Sequence, residues 1–175
     1  MRLKDKVAII TGGSRGIGFA TADAFLREGA KVAVAASSEK NAEAAVEKLK
    51  AIHPDAEVVG ISPNLGSFES VKEEFDKVEK QFGRIDILVN NAGVSESTPF
   101  TSYTEADFDR VIDLNVKGVF NATRAVVDGM IKNHSGVVLN TSSMVSISGQ
   151  PSGFAYPASK FAVNGTTISL ARELG

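Results

Sequence analysis

Tyr156 and Lys160 lie four residues apart near the end of the 175-residue chain, and Ser143 precedes the tyrosine by thirteen residues. On a helix, positions i and i+4 share a face with roughly 6 Å between their Cβ atoms, so an ammonium and a phenol at this spacing point into one cleft. A neighbouring cation favours the phenolate form, which makes a tyrosine usable as a proton carrier near neutral pH. The pair therefore predicts proton-transfer chemistry.

A glycine-rich turn, Thr-Gly-Gly-Ser-Arg-Gly-Ile-Gly at 11–18, lies between a predicted strand and a predicted helix. Gly12, Gly16 and Gly18 would allow a tight turn, a close approach of backbone to phosphate, and a helix N-terminus directed at the anion. The alternative is a turn that needs positive φ and binds nothing. Together with the tyrosine and lysine, the turn predicts a redox enzyme that uses a dinucleotide.

The end of the second predicted strand indicates which dinucleotide is used. An NAD site usually carries an acidic residue about 20 positions after the glycine turn, but this strand ends in Ala-Ala-Ser-Ser at 35–38. Arg15, Ser37 and Ser38 could instead receive a 2′-phosphate, for which a guanidinium is a favoured partner. NADP is therefore expected, with NAD less favoured. Glu39 is the open alternative, because a displacement of one residue would make it the ribose acceptor.

Strands and helices must alternate to position these residues. Short apolar runs predict strands at 6–11, 31–36, 56–61, 85–89 and 136–141, and helical spacing predicts helices at 16–27, 39–51, 68–82, 102–132 and 154–174. Ser102 and Glu105 predict a capping box at the start of the fourth helical region. Strands that are apolar on both faces and separated by helices predict an α/β fold: a single-domain, doubly wound parallel sheet, Rossmann-like, covered on both sides. Ligands in such folds bind beyond the carboxyl ends of the strands.

Composition excludes several other functions. The net charge is −2, and acidic and basic residues are scattered along the chain. Because the chain has no basic stripe, nucleic-acid binding is not expected. The charged start and the lack of a long apolar run predict a cytoplasmic protein without a membrane span. There is no cysteine, and His53 and His134 lie isolated at predicted loop positions, so no metal site is expected.

The ordered set of motifs resembles the classical short-chain dehydrogenase/reductase family, and within it the NADP-dependent 3-oxoacyl-carrier-protein reductases. The resemblance is carried by Thr11-Gly12-x-x-x-Gly16-x-Gly18, Asn90-Asn91-Ala92-Gly93, Asn115, Ser143 and Tyr156-x-x-x-Lys160. It implies an NADP(H)-dependent oxidoreductase that interconverts a ketone and a secondary alcohol. A catalytically silent nucleotide-binding sensor or scaffold of the same fold is the alternative.

The resemblance implies a role for each candidate catalytic residue. Tyr156 would exchange a proton with the substrate oxygen while hydride moves to or from the nicotinamide, and Lys160 would lower the proton affinity of the phenol and bind the nicotinamide ribose. Ser143 would hold the substrate oxygen, with Ser142 as a close competitor. Asn115 would interrupt the long helix and anchor a water that relays protons to Lys160; the alternative is a helix-surface amide.

The expected cofactor contacts include an adenine-binding role for Asn64 and Leu65. The full expected set is Gly12, Ser14, Arg15, Gly16, Ile17, Gly18, Ser37, Ser38, Asn64, Leu65, Asn91, Ala92, Gly93, Tyr156 and Lys160. The segment 90–93 could also be a turn that uses Asn and Gly for left-handed conformations.

The resemblance also carries expectations for the rest of the molecule. It implies a homodimer or homotetramer packed through the helix around 116–127 and the last helix. Met144, Val145, Ile147 and Phe154 near the expected pocket mouth indicate an apolar substrate body. The alternative is that they pack against a missing segment of the chain. Family members normally continue into two more strands and a substrate lid, so the sequence is expected to be a fragment truncated before the last two strands. A shortened relative is the alternative.

Overall fold

Five short strands form one parallel sheet in the computed structural model, which describes all 175 residues. The strands are β1 (Val7–Thr11), β2 (Lys31–Ala35), β3 (Val58–Ile61), β4 (Ile87–Asn90) and β5 (Val137–Asn140). Their spatial order is β3-β2-β1-β4-β5. The chain therefore switches direction of winding between β1 and β4, which is where doubly wound sheets bind ligands. The predicted fold class is confirmed.

Seven helices connect or follow the strands. They are α1 (Gly16–Arg27), α2 (Glu39–Ile52), α3 (Phe68–Phe82), α4 (Glu105–Ile112), α5 (Gly118–Lys132), α6 (Val145–Ser148) and α7 (Ala155–Leu174), with a 3₁₀ turn at Phe100–Ser102 and a π-helical segment at Asp113–Lys117. The single long helix expected at 102–132 is thus divided into α4, the π segment and α5.

Alternation along β1 divides the core into two layers, because successive side chains of a strand point to opposite faces. Val7 and Ile9 pack with Phe75 of α3 and Val126 of α5. Ala8 and Ile10 face the other way and pack with α1 and α2. β1 is consequently buried at every position, which explains its uninterrupted apolar sequence.

The capping box predicted at Ser102 and Glu105 is wrong by two residues. Ser102 ends the 3₁₀ turn, and Thr104 is the N-cap of α4. The Thr104 hydroxyl accepts a hydrogen bond from the Asp107 amide at 3.1 Å, while the Asp107 carboxylate accepts one from the Thr104 amide at 3.2 Å. An aspartate supplies the reciprocal bond here in place of the glutamate that the sequence pattern favours.

His53 is not isolated, contrary to the prediction. It ends α2, and its Nε2 lies 2.7 Å from Asp23 Oδ1 on α1. Arg27 Nη2 contacts the other oxygen of the same carboxylate at 2.6 Å. The His53–Asp23 bond connects the two helices on one side of the sheet, whereas the Arg27–Asp23 contact lies within α1.

The sheet is not covered evenly. Val137 and Leu139 of β5 keep about half of their surface exposed, 49% and 48%, whereas Val138 between them packs against the layer of α3 and α5. The expectation of two fully covered faces is therefore wrong for one face of β5. No helix in the structure combines the length and apolarity that a membrane span requires.

Candidate active site

The glycine-rich turn joins β1 to α1 and is held by the strand beside it. Gly12 and Gly16 have φ of +65° and +55°, the left-handed region that favours glycine. A Cβ on Gly18 would lie 2.3 Å from the Gly12 carbonyl oxygen, so this position has no room for a side chain. The Asn91 amide donates hydrogen bonds to the carbonyls of Thr11 and Gly12 at 3.1 and 3.3 Å. Asn91 thus fixes the shape of the turn.

A cavity of about 810 Å³ opens over this turn at the carboxyl ends of the strands. Its size suits a dinucleotide-sized ligand. Eleven of the expected cofactor residues line it: Gly12, Ser14, Arg15, Gly16, Ile17, Ser37, Asn64, Leu65, Asn91, Ala92 and Gly93. The glycine cradle and the cavity together fit the pyrophosphate and nucleoside parts of a nicotinamide dinucleotide.

The other four expected cofactor residues do not line the cavity: Gly18, Ser38, Tyr156 and Lys160. Gly18 acts by letting α1 approach the turn closely, as its blocked Cβ position indicates. Ser38 is the N-cap of α2, and its hydroxyl accepts a hydrogen bond from the Asn41 amide at 3.3 Å. Its side chain is therefore used within the protein.

The end of the cavity near β2 is positively charged. Arg15 and Lys48 line it, and no aspartate or glutamate does. Glu39 is exposed in the first turn of α2 and lies outside the lining. The Asn41 side chain, which also lines the cavity, donates a hydrogen bond to the Ser37 hydroxyl at 3.3 Å.

Lys48 and Asn41 were missed by the sequence analysis. Both belong to α2, together with two further lining residues, Ala44 and Ala45. The spacing 41, 44, 45, 48 marks one face of a helix, and this periodicity was the signal that could have found them.

Asn115 lies in the π-helical segment and is buried, with 1% of its surface exposed. The interruption of the long helix occurs where it was expected, and the alternative of a helix-surface amide is wrong. The side chain accepts a hydrogen bond from the Val94 amide at 2.9 Å and donates to the Val94 carbonyl at 2.8 Å and to the Ser159 hydroxyl at 3.0 Å. It thereby connects the segment after β4 with α7.

Tyr156 and Lys160 lie in the first two turns of α7. The helix starts at Ala155, so Pro157 falls in the first turn, where a proline costs no helical hydrogen bond. Lys160 Nζ lies 5.8 Å from the centre of the Tyr156 ring and donates a hydrogen bond to the Thr141 carbonyl at 2.7 Å. Burial lowers the pKa of Lys160 below its ordinary value, because the charged form is poorly solvated there.

The two candidate serines differ in how their hydroxyls are used. The Ser142 hydroxyl donates to Ser146 Oγ at 3.2 Å and lies 3.5 Å from the Lys160 carbonyl. The Ser143 hydroxyl accepts one long bond, 3.4 Å, from the Val145 amide, and its proton is not used. Ser143 is therefore the serine that retains a free donor.

Gly93, at the end of the segment 90–93, lies next to two of the candidate catalytic residues, Asn115 and Lys160. A Cβ on Gly93 would lie 3.2 Å from Asn115 Oδ1 and 3.8 Å from Lys160 Nζ. Because Gly93 also lines the large cavity, the lysine and the asparagine lie next to its lining, although neither is itself a lining residue. The structure thus brings together residues that are up to 67 positions apart in the chain, from Gly93 to Lys160.

Tyr103, the other tyrosine of the chain, has a buried hydroxyl without a hydrogen-bond partner. Burial, followed by the nearby Glu96 carboxylate, raises the pKa of Tyr103 above its ordinary value. This phenol is therefore held in its protonated form. No three His, Asp or Glu side chains are grouped in a way that could hold a metal ion.

Comparison with known proteins shows matches over almost the whole chain. The family described as short chain dehydrogenase matches residues 6–175. A 3alpha-hydroxysteroid dehydrogenase of Mediterraneibacter gnavus is 53% identical over 175 residues, which are 100% of this chain and 70% of that protein. The 3-oxoacyl-(acyl-carrier-protein) reductase FabG of Thermotoga maritima is 41% identical over 174 residues, covering 99% of this chain and 70% of that protein.

Solved structures give the same result. Levodione reductase superposes with a TM-score of 0.94 at 36% identity, over 98% of this chain and 67% of that one. NAD⁺-bound xylitol dehydrogenase also superposes with a TM-score of 0.94, at 33% identity, over 99% of this chain and 66% of that one.

Proposed function

Because the chain belongs to the short-chain dehydrogenase family and is an oxidoreductase acting on CH–OH groups, we propose that it uses NADP(H) to interconvert a ketone and a secondary alcohol. The catalytic residues proposed are Asn115, Ser143, Tyr156 and Lys160. The observation that carries the proposal is that Gly93, which lines the cavity, lies beside Asn115 and Lys160. This contact joins the proposed dinucleotide site to the proposed proton-transfer site.

Each residue has a defined task in the proposed reduction. The reduced nicotinamide, when bound, supplies the hydride to the carbonyl carbon. Tyr156 donates its phenolic proton to the carbonyl oxygen, which becomes the hydroxyl of the product. Ser143 donates a hydrogen bond to the same oxygen and limits the build-up of charge on it. Oxidation of the alcohol uses the same groups in reverse.

Lys160 and Asn115 support the proton carrier. The Lys160 ammonium favours the phenolate that Tyr156 becomes after giving up its proton. The three hydrogen bonds of the Asn115 side chain hold the segment after β4 against α7. A proton relay that starts at Lys160 would pass the place where the segment after β4 meets α7.

NADP is proposed over NAD because of the charge at the β2 end of the cavity. Arg15 and Lys48 offer two cations, Ser37 offers a hydroxyl, and no carboxylate is present to bind a ribose 2′-hydroxyl. A 2′-phosphate is the group that this combination favours. NAD remains the less favoured cofactor, although one solved relative is described as NAD⁺-bound.

The substrate proposed is a ketone with an apolar body. Met144 and Ile147 of the α6 region are both 76% exposed, and the half-exposed Phe154 lies 5.2 Å from Phe100 between ring centres. This apolar surface adjoins the start of α7. The two named relatives make a 3-oxosteroid and a 3-oxoacyl thioester the first ketones to assay.

A homodimer or homotetramer is proposed as the assembly. Phe120 on α5 and Phe161 and Ile168 on α7 are each more than half exposed, at 60%, 52% and 59%. Burial of these side chains between copies would remove apolar surface from water. Light scattering after gel filtration measures the mass, and a monomer would contradict the proposal.

Replacement of Tyr156 by phenylalanine tests the proposed function. Tyr156→Phe removes the only proposed proton donor, so kcat should fall by about 10²–10⁴-fold, while the affinity for NADPH is retained. Asn133→Ala is the control, because Asn133 is exposed at the end of α5, and its kcat should stay near that of the wild type. Full turnover in Tyr156→Phe would refute the assignment. NADPH binding without turnover of any ketone in the wild type would favour the sensor or scaffold.

A further inference from the structure

The helix that carries Tyr156 does not cap its own N-terminus. α7 starts at Ala155, and Phe154 before it has helical backbone angles and provides no side-chain cap. The first amides of a helix have no partner within the helix and must find one elsewhere. Tyr156 is in this first turn, so the groups that bind these amides determine where its side chain starts.

Glu96, sixty residues earlier, supplies the missing acceptor. Its Oε1 accepts a hydrogen bond from the Tyr156 main-chain amide at 3.2 Å. Its Oε2 accepts one from the Thr98 amide at 3.2 Å, so both carboxylate oxygens are used. A negative charge at a helix N-terminus is also favoured by the helix dipole.

Further bonds fix the loop that carries Glu96 against the segment that leads into α7. The Gln150 side chain donates to the carbonyls of Glu96 and Gly153 at 3.0 and 3.1 Å. The Gly153 amide donates to the Thr98 carbonyl at 3.0 Å. Gly153 has a φ of +90°, and a Cβ there would lie 2.4 Å from the Glu96 carbonyl oxygen. The two segments are therefore in close backbone contact.

The loop of Glu96 begins at the cofactor cavity. Glu96 follows Gly93 by three residues, and Gly93 lines the cavity beside Lys160 Nζ. A carboxylate on this loop that binds the Tyr156 amide thus connects the cofactor-binding segment to the residue that carries the phenol through one hydrogen bond.

We propose that Glu96 is a positioning residue for Tyr156. It acts through its hydrogen bond to the Tyr156 amide, which sets the position of the first turn of α7 and hence of the phenol relative to the substrate oxygen. This inference rests on the proposed role of Tyr156 in proton transfer. Small displacements of a reacting group are costly, since about 1 Å can reduce the rate by about 10²-fold.

The first experiment measures the bond itself and does not depend on activity. Amide hydrogen exchange at Tyr156 is compared in the wild-type protein, Glu96→Ala and Glu96→Gln. The exchange rate should rise about 5-fold in Glu96→Ala, which corresponds to the loss of a helix cap. It should stay closer to wild type in Glu96→Gln, whose amide oxygen can still accept the bond. Ser97→Ala is the matched control, because Ser97 is exposed on the same loop and its side chain makes no hydrogen bond.

The second experiment measures kcat and KM of the same variants with NADPH and a ketone that the wild type reduces. Glu96→Ala should lower kcat about 10-fold with KM for NADPH within twofold, and Glu96→Gln should recover most of the loss. A rise in exchange without a fall in kcat, or a fall in kcat without a change in exchange, overturns the inference. A wild type that reduces no ketone instead refutes the proposed function, and the exchange data then still show whether Glu96 binds the Tyr156 amide.

Discussion

The Asn115 side chain donates a hydrogen bond to the Ser159 hydroxyl at 3.0 Å, between two residues that are 44 positions apart. Ser159 lies directly before Lys160, and its hydroxyl donates in turn to the Tyr156 carbonyl at 2.7 Å. The π-helical segment therefore contacts α7 between the two residues proposed for proton transfer. A buried asparagine whose side-chain oxygen and amide nitrogen are both hydrogen-bonded fixes one arrangement of these elements.

Asn115→Ala should lower the free energy of unfolding by about 2–4 kcal/mol, because it leaves the partly buried amide and carbonyl of Val94 without their partners. Turnover should also fall, since α7 loses its contact with the π-helical segment. Urea unfolding monitored by circular dichroism measures the first effect. Asn133→Ala is the control, because Asn133 is exposed at the end of α5. Equal stability of the two variants would contradict the structural role of Asn115.

Arg15→Ala and Lys48→Ala should each weaken NADPH binding about 10-fold, which is the loss of one charge-assisted hydrogen bond to a phosphate. NADH affinity should change less than twofold, because NADH has no 2′-phosphate. Fluorescence titration with both cofactors measures the difference. Lys40→Ala is the control on the same helix, since Lys40 is exposed and outside the cavity. An equal loss of both cofactors in the cavity variants would argue against NADP.

Gly18→Ala should weaken binding of either dinucleotide at least about 10-fold and destabilise the protein, because α1 must move away from the turn to accept a methyl group. The clash would be with backbone, 2.3 Å from the Gly12 carbonyl oxygen. Gly129→Ala in α5 is the control: its Cβ would make an ordinary 3.7 Å contact with Glu79, and it should raise stability by about 0.5–1 kcal/mol. Wild-type cofactor affinity in Gly18→Ala would disprove the close-packed turn.

Asp23→Asn should reduce the free energy of unfolding at neutral pH by about 0.5–1 kcal/mol. The hydrogen bond from His53, with a further contribution from Arg27, holds the pKa of Asp23 below its ordinary value. A carboxylate with a lowered folded-state pKa stabilises the protein above the unfolded-state pKa, about 3.9, and this stabilisation is lost as the pH falls through the folded-state pKa.

The difference between wild type and Asp23→Asn should accordingly shrink as the pH falls below about pH 4. Urea unfolding at a series of pH values measures it. Asp55→Asn, at an exposed position without an ion pair, should show no such difference. A gap between Asp23→Asn and wild type that persists unchanged at the lowest pH would contradict this account.

Local patterns predicted much of the fold and of the site. The apolar runs predicted all five strands, but β3 and β4 each begin two residues later than expected, because the ladder starts only where the neighbouring strand offers partners. Ala56, at the expected start of β3, instead donates to the His53 carbonyl in a turn. The glycine turn and the Tyr156–Lys160 spacing were recognisable because their geometry lies within one turn or one helix.

The sequence by itself determined the five strands and most of the helices, where the glycine-rich turn lies, and which tyrosine and lysine share a helix face, since each depends on residues a few positions apart. Only the tertiary structure decided that Lys48 faces the cavity, that Asn115 is buried against Ser159, and that Glu96 binds the Tyr156 amide. These relationships depend on the order of the strands and on the packing of α7 against the π-helical segment. They arise from burial and hydrogen bonding between residues that are far apart in the chain. Helical spacing indicates that Lys48 shares a face with Asn41, but not that this face meets the cavity.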